Sequence, residues 1–108
     1  MNSLDLQTKR NNTRRFFRHQ SGIHVNCIRL NTTNSYEHER QKFEECWKLA
    51  CAGKSYLTEA EFNNPFKKRA DVVNLDNSYA IEIQGSESDE SIGEKRKTYP
   101  IPIIVVKI

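Results

Sequence analysis

The sequence predicts one α/β domain, a mixed four-stranded sheet flanked by helices, with a basic N-terminal arm. Three observations lead there. Two strand-like runs at 69–75 and 79–84 flank Asp76, Asn77 and Ser78, a tight-hairpin signal. Helical periodicity marks two segments, one before the strands and one after the hairpin. A continuous β-branched run at 103–108 follows the second helix, so the last strand can run parallel to an earlier one. The implied order is helix, strand, strand, strand, helix, strand. At 108 residues the chain makes one domain, with about two thirds of the unfolded surface buried.

Residues 1–22 are polar, end at Gly22 and read as an arm or loop. Residues 1–18 hold Lys9, Arg10, Arg14, Arg15 and Arg18 against Asp5 alone, a net charge of +4 in a chain whose total is +3. A basic arm on a near-neutral body suits phosphate attraction. Arg14, Arg15 and Arg18 are its candidate nucleic-acid contacts. Phe16 and Phe17 sit among the arginines, either to stack on bases or to dock the arm on the core.

Ile23, Val25 and Cys27 alternate with His24 and Asn26 and suggest a short strand. The phase slips at Ile28 and Leu30, and 31–35 is a polar turn. A helix is expected over 35–52, capped by Asn34 with Glu37 three residues on. Gly53 supplies its stop. Tyr36, Phe43, Cys46, Trp47 and Ala50 form one stripe, expected to face the core. Glu39 lies inside that stripe, while Glu37 and His38 point away from it.

Residues 54–62 read as a strand with polar interruptions, in which Glu59 and Glu61 serve as an edge-solvating device. Asn63, Asn64 and Pro65 turn the chain. After the hairpin, Gly85 and Ser86 end the strand. A helix over 88–99 takes Ser86 or Ser88 as its cap. Its first turn is acidic (Asp89, Glu90) and its last turn basic (Lys95, Arg96, Lys97), as the helix dipole favours. Pro100 and Pro102 stop it. The final run, 103–108, reads as a strand buried on both faces.

The candidate chemistry lies in the hairpin. Glu82 and Gln84 share one sheet face and Ile81 and Ile83 take the other. A two-residue loop at Asp76 and Asn77 would set Asp71 opposite Glu82, with Cβ atoms about 5 Å apart. Two carboxylates that close repel unless one is protonated or a cation lies between them. Oxygen donors of this kind suit Mg²⁺ or Mn²⁺ rather than zinc. Glu39 could complete the site from the helix layer. A three-residue loop would instead leave Asp71 diagonal to Glu82.

The stretch Arg-Ala-Asp-Val-Val (69–73), followed by Ala-Ile-Glu-Ile-Gln-Gly-Ser (80–86), resembles the core motif of the PD-(D/E)XK nuclease superfamily. Its Glu-x-Gln form, with a serine and a basic helix after it, is similar to competence proteins of the CoiA type. Ser-Tyr-Glu-His-Glu (35–39) resembles the first helix of these nucleases. The resemblance covers residues 35–108 and implies a restriction-endonuclease-like αβββαβ core within a nuclease domain at 23–108. It implies that Asp71 and Glu82 hold a divalent metal, Mg²⁺ or Mn²⁺, that Gln84 stands where lysine is usual, and that Glu39 assists. Arg69, Lys95 and Lys97 become candidate phosphate contacts. The implied activity is a metal-dependent DNA endonuclease, junction-resolving or DNA-processing, acting as a homodimer. The competing readings are a nucleic-acid-binding module without catalysis and a nuclease-like subunit of a larger complex. Two departures stand out: glutamine cannot supply charge, and no proline precedes Asp71.

Other classes fit less well. The longest apolar run is far shorter than the roughly 20 residues a membrane helix needs. No secretory leader is visible, so an intracellular chain with reduced cysteines is expected. Cys27, Cys46 and Cys51 are odd in number and lack Cys-x-x-Cys spacing. His24 and Cys27 make a zinc half-site with no second half.

Overall fold

The computed structural model describes residues 3–108. Its elements are α1 (Ser3–Arg14), α2 (His19–Gly22), α3 (Tyr36–Cys51), β1 (Tyr56–Glu61), β2 (Arg69–Asn74), β3 (Tyr79–Gln84), α4 (Asp89–Thr98) and β4 (Ile103–Lys107). The four strands form one mixed sheet in the order β1-β2-β3-β4. β1–β2 and β2–β3 are antiparallel, and β3–β4 is parallel. The parallel pair exists because α4 carries the chain back across the sheet.

The hairpin keeps the register expected from sequence although its turn is longer. Asn74 pairs with Tyr79 and Val72 with Ile81, leaving four residues, Leu75 to Ser78, in the turn. Asn74 braces the turn from its own side chain, whose oxygen accepts from the backbone N–H of Asp76 (2.9 Å) and Asn77 (3.0 Å). That bond pattern is why Asn suits the position.

Two cores lie on the sheet. One groups Leu57, Val73, Ala80 and Ile103 with Phe17, Phe62, Tyr99 and Ile101. The other groups Val72 and Ile81 with Cys46 and Leu49 of α3. Burial pushes the Cys46 thiol up to about 12, so it behaves as a small apolar side chain.

Four sequence expectations are corrected. First, the segment read as an arm or loop is largely helical and docked; its residues 1 and 2 lie outside the described residues. Phe17 is buried, stacks on Phe62 at 4.6 Å and bridges its backbone to Phe62. Arg10 grips Asp76 at 2.7 Å, and buried Thr13 donates to the Leu75 carbonyl at 3.0 Å. Second, residues 23–27 form no strand. They strap the edge of β1 instead, with Asn26 N–H donating to the Tyr56 carbonyl at 2.8 Å. A strap protects an edge as well as a paired strand does.

Third, α3 is turned from the expected stripe. Lys42, Cys46 and Leu49 face the sheet, while Tyr36, Phe43 and Trp47 are exposed. Buried Lys42 displaces the aromatics because its ammonium meets the Arg29 carbonyl at 2.7 Å, Glu39 at 2.6 Å and Glu59 at 3.4 Å. Three donors find three acceptors, so burying the charge is tolerable. The cap of α3 is Ser35 rather than Asn34, with Ser35 Oγ accepting from His38 N–H at 3.1 Å. Fourth, β4 is an edge strand with exposed Ile104, and is not buried on both faces.

Candidate active site

The register of β2 and β3 breaks one residue beyond Val72 and Ile81, where Asp71 comes level with Glu82. There the side chains enter the ladder. Asp71 N–H donates to Glu82 Oε2 at 3.1 Å, and Ile83 N–H donates to Asp71 Oδ2 at 2.8 Å. Glu59 breaks the pairing on the other side of β2, since Thr58 and Ala60 pair with Val72 and Ala70 but Glu59 pairs with nothing. Its φ of 48° is left-handed, an unfavourable conformation for a residue with a Cβ. Strain of this sort collects at functional sites. Bonds to Lys42 and to Asn31 Nδ2 (2.8 Å) hold Glu59 there.

Glu82 has no exposed surface. Its pKa is pushed up to about 8, first by burial and then by the Asp71 carboxylate. Glu82 Oε1 also meets the Tyr99 hydroxyl and lies 3.5 Å from Lys95 Nζ. Tyr99 Oη is 2.9 Å from the Arg69 carbonyl, and one hydroxyl has one proton to give. Given to Arg69, it leaves Tyr99 accepting from a protonated Glu82, which agrees with the raised pKa. Burial, then Glu82, holds the Tyr99 phenol itself well above its usual range.

Two helices bring the remaining groups. Lys95, on α4, pairs with Glu87 at 2.8 Å as well as approaching Glu82. Burial works to lower the Lys95 ammonium, but Glu82 and Glu87 outweigh it and the net shift is upward. Burial likewise works to raise the Glu87 carboxyl, but Lys95 and Ser91 reverse it and hold it low. From the first turn of α3, His38 sets Nε2 3.3 Å from Asp71 Oδ2 and Nδ1 3.0 Å from Glu39 Oε2. The Glu39 contact is a hydrogen bond, and the Asp71 contact is an ion pair when the ring carries both protons. A polar cleft of about 240 Å³ opens over His38, Asp71, Ile83, Glu87 and Lys95.

The expected site residues are thus distributed unevenly. Asp71 and Glu82 come together. Glu39 stands one step back, behind His38, held by Lys42 and by the Asn31 N–H at 2.6 Å. Burial works to raise Glu39, but these partners and His38 outweigh it and keep it low. Gln84 turns its amide to α4, donating to the Glu87 carbonyl (2.8 Å) and to Asp89 (2.9 Å). Lys95 reaches the carboxyl pair, whereas exposed Lys97 pairs with Glu94 at 3.5 Å and Arg69 lies 4.0 Å from Glu59. Arg14 and Arg15 line a separate shallow cleft with His19 and Asn63, and Arg18 pairs loosely with Glu61 at 3.4 Å.

Sequence reasoning passed over Tyr99, Glu87 and Lys42, and ranked His38 below Glu39. Only Lys42 left a signal, its spacing of three from Glu39 on a helix.

The donor chemistry fits a hard divalent cation. Among the described residues no three His, Cys, Asp or Glu side chains group as a metal cluster. Mg²⁺, however, is commonly held by one or two carboxylates together with substrate phosphate and water. Asp71 and Glu82 are such a pair, and burial followed by the Asp71 carboxylate raises the Glu82 pKa. Scanned against known protein families, curated proteins and solved structures, the chain matches none of them. Among the described residues no helix is long and apolar enough to cross a membrane.

Proposed function

We propose that this chain is a divalent-metal-dependent DNA endonuclease with a restriction-endonuclease-like core. The observation that carries the reading is the Asp71–Glu82 carboxyl pair at the broken register of β2 and β3, with Lys95 beside it. The motif resemblance and the element order support the same reading. DNA as substrate and a homodimer as the working assembly belong to it.

The reaction is phosphodiester hydrolysis: water attacks phosphorus, the bond to the leaving oxygen breaks, and a hydroxyl and a phosphate end result. A bound Mg²⁺ or Mn²⁺ would lower the pKa of its water and offset phosphate charge. Asp71 and Glu82 would hold the ion. Lys95 takes over the cationic role that Gln84 cannot fill, since it presents an ammonium to the same carboxyl pair from α4. Its task is to offset negative charge developing on the phosphate. Gln84 is a positioning residue, tying β3 to the start of α4 and so aiming Lys95. His38 orients Asp71 and is itself fixed by Glu39. The cleft beside Arg14 and Arg15 offers a place for the flanking backbone.

The test uses the full chain with labelled duplex, single-stranded and branched DNA, in Mg²⁺, in Mn²⁺ and in chelator. The expected outcome is metal-dependent cutting that Glu82→Ala abolishes. Binding to every substrate with no cutting would sink the enzyme reading and favour a DNA-binding module or a subunit awaiting a partner.

A further inference from the structure

We propose that the exposed aromatic face of α3 is an interface between two copies of this chain. Leu30, Tyr36, Phe43 and Trp47 are 73%, 75%, 50% and 62% exposed. They are contiguous: one cleft joins Leu30, Tyr36, Arg40 and Phe43, and a second joins Phe43 to Trp47. Phe43 and Trp47 stack at 6.2 Å, so the face is ordered in advance. The opposite face of the helix is already spent on the sheet through Cys46 and Leu49.

The area matches what a dimer requires. Aromatic side chains present about 150–250 Å² each, so these exposures leave roughly 500 Å² of apolar surface. That is near the upper end for a monomer's largest patch. A standard interface buries about 800 Å² per partner at about 60% apolar, which again needs roughly 500 Å².

Charge selects the occupant. The outer side of α3 carries Glu37, Glu44 and Glu45 against Arg40 and Lys48, a balance of −1 that gives phosphate no net attraction. Arg40 and Glu44 are exposed one turn apart, and neither has an ion-pair partner among the described residues. A two-fold axis near residue 42, with the helices antiparallel, sets Arg40 against the partner's Glu44 at both ends. It also brings Tyr36 to the partner's Trp47. Such self-complementarity is the mark of an isologous contact. The proposal gives an interface to the homodimer of the proposed function, but its observations stand apart from the carboxyl pair, since Asp71 and Glu82 lie on β2 and β3.

The test is sedimentation of the full chain over a range of concentrations, with the emission of its one tryptophan followed in parallel. The expected result is a dimer whose formation shifts Trp47 emission to the blue. Trp47→Ala and Phe43→Ala each weaken it by about tenfold or more, as loss of a buried anchor does. Arg40→Glu and Glu44→Arg each weaken it, and the double swap restores it. Circular dichroism shows that the variants stay folded, which their exposure leads one to expect. A monomer at every soluble concentration overturns the proposal, as does a dimer indifferent to Trp47→Ala and Phe43→Ala. A monomer whose Trp47 emission is quenched by single-stranded DNA would also overturn it and give the face to stacked bases.

Discussion

A fully buried carboxyl must be neutral, hydrogen-bonded or paired with a cation. Glu82 meets a backbone N–H, a phenol and an ammonium at once. Lys95 is the group whose charge a phosphate would use, so it gives the sharpest test of the proposed chemistry. Lys95→Met should lower kcat by about 10²-fold or more, in the range found for losing one electrostatic donor. Steady-state kinetics on the preferred DNA would check this, with Lys95→Arg retaining part of the rate. A rate unchanged in Lys95→Met would remove it from the mechanism. Asp71 and Glu82 were legible in sequence because alternation and hairpin register operate over neighbouring residues. His38 was not. Helical periodicity placed it away from an aromatic stripe, and the stripe itself was misassigned because no local rule foresees a buried, fully partnered Lys42.

At the scale of elements, most is decided by what each helix docks against. α1 is a polar helix held by a few specific contacts rather than by an apolar face; its one buried residue is Thr13. Arg10 makes two bonds to Asp76, which is 5% exposed and also accepts from Ser55 N–H at 3.2 Å. Burial works to raise the Asp76 carboxyl, but Arg10 reverses it and keeps it low. Arg10→Ala would leave that carboxylate short of partners at a cost of about 1–3 kcal/mol. The expected readout is a lower thermal midpoint, with proteolysis or hydrogen exchange localising the loss to residues 3–22. Equal protection of that segment in the variant would show that Thr13 and Phe17 secure it without Arg10. The strand boundaries and α4 were close to expectation because caps, prolines and turn residues mark them directly. The docking of α1 was unreadable, since its partner Asp76 lies 66 residues away.

For the whole molecule, the carboxyl pair ties global stability to pH. Glu82 has its folded pKa raised from 4.5 to about 8. Its folded form therefore keeps a proton that the unfolded chain releases, and stability falls as pH rises through that interval. Glu39, Asp76 and Glu87 are lowered, so their contribution is lost only at the acid end. In chelator, the thermal midpoint should drop as pH rises from about 4.5 to about 8, by a stability change on the order of a few kcal/mol. Glu82→Gln should flatten that slope. Under the proposed function Mg²⁺ should raise the midpoint more on the alkaline side, where the carboxylate it binds is ionised. A flat profile for the unaltered chain would mean that Glu82 is not held protonated.

By itself the sequence determined the α/β class, the order of the helices and strands from α3 onward, and the placing of Asp71 level with Glu82. These follow from periodicity, caps and turns, which are local. Only the tertiary structure decided which face of α3 is buried, that α1 folds onto the hairpin turn, and that His38 and Lys95 are the side chains delivered to the carboxyl pair. Those outcomes depend on which distant groups can satisfy a buried charge, and the three acceptors around Lys42 come from Arg29, Glu39 and Glu59, on separate segments of the chain.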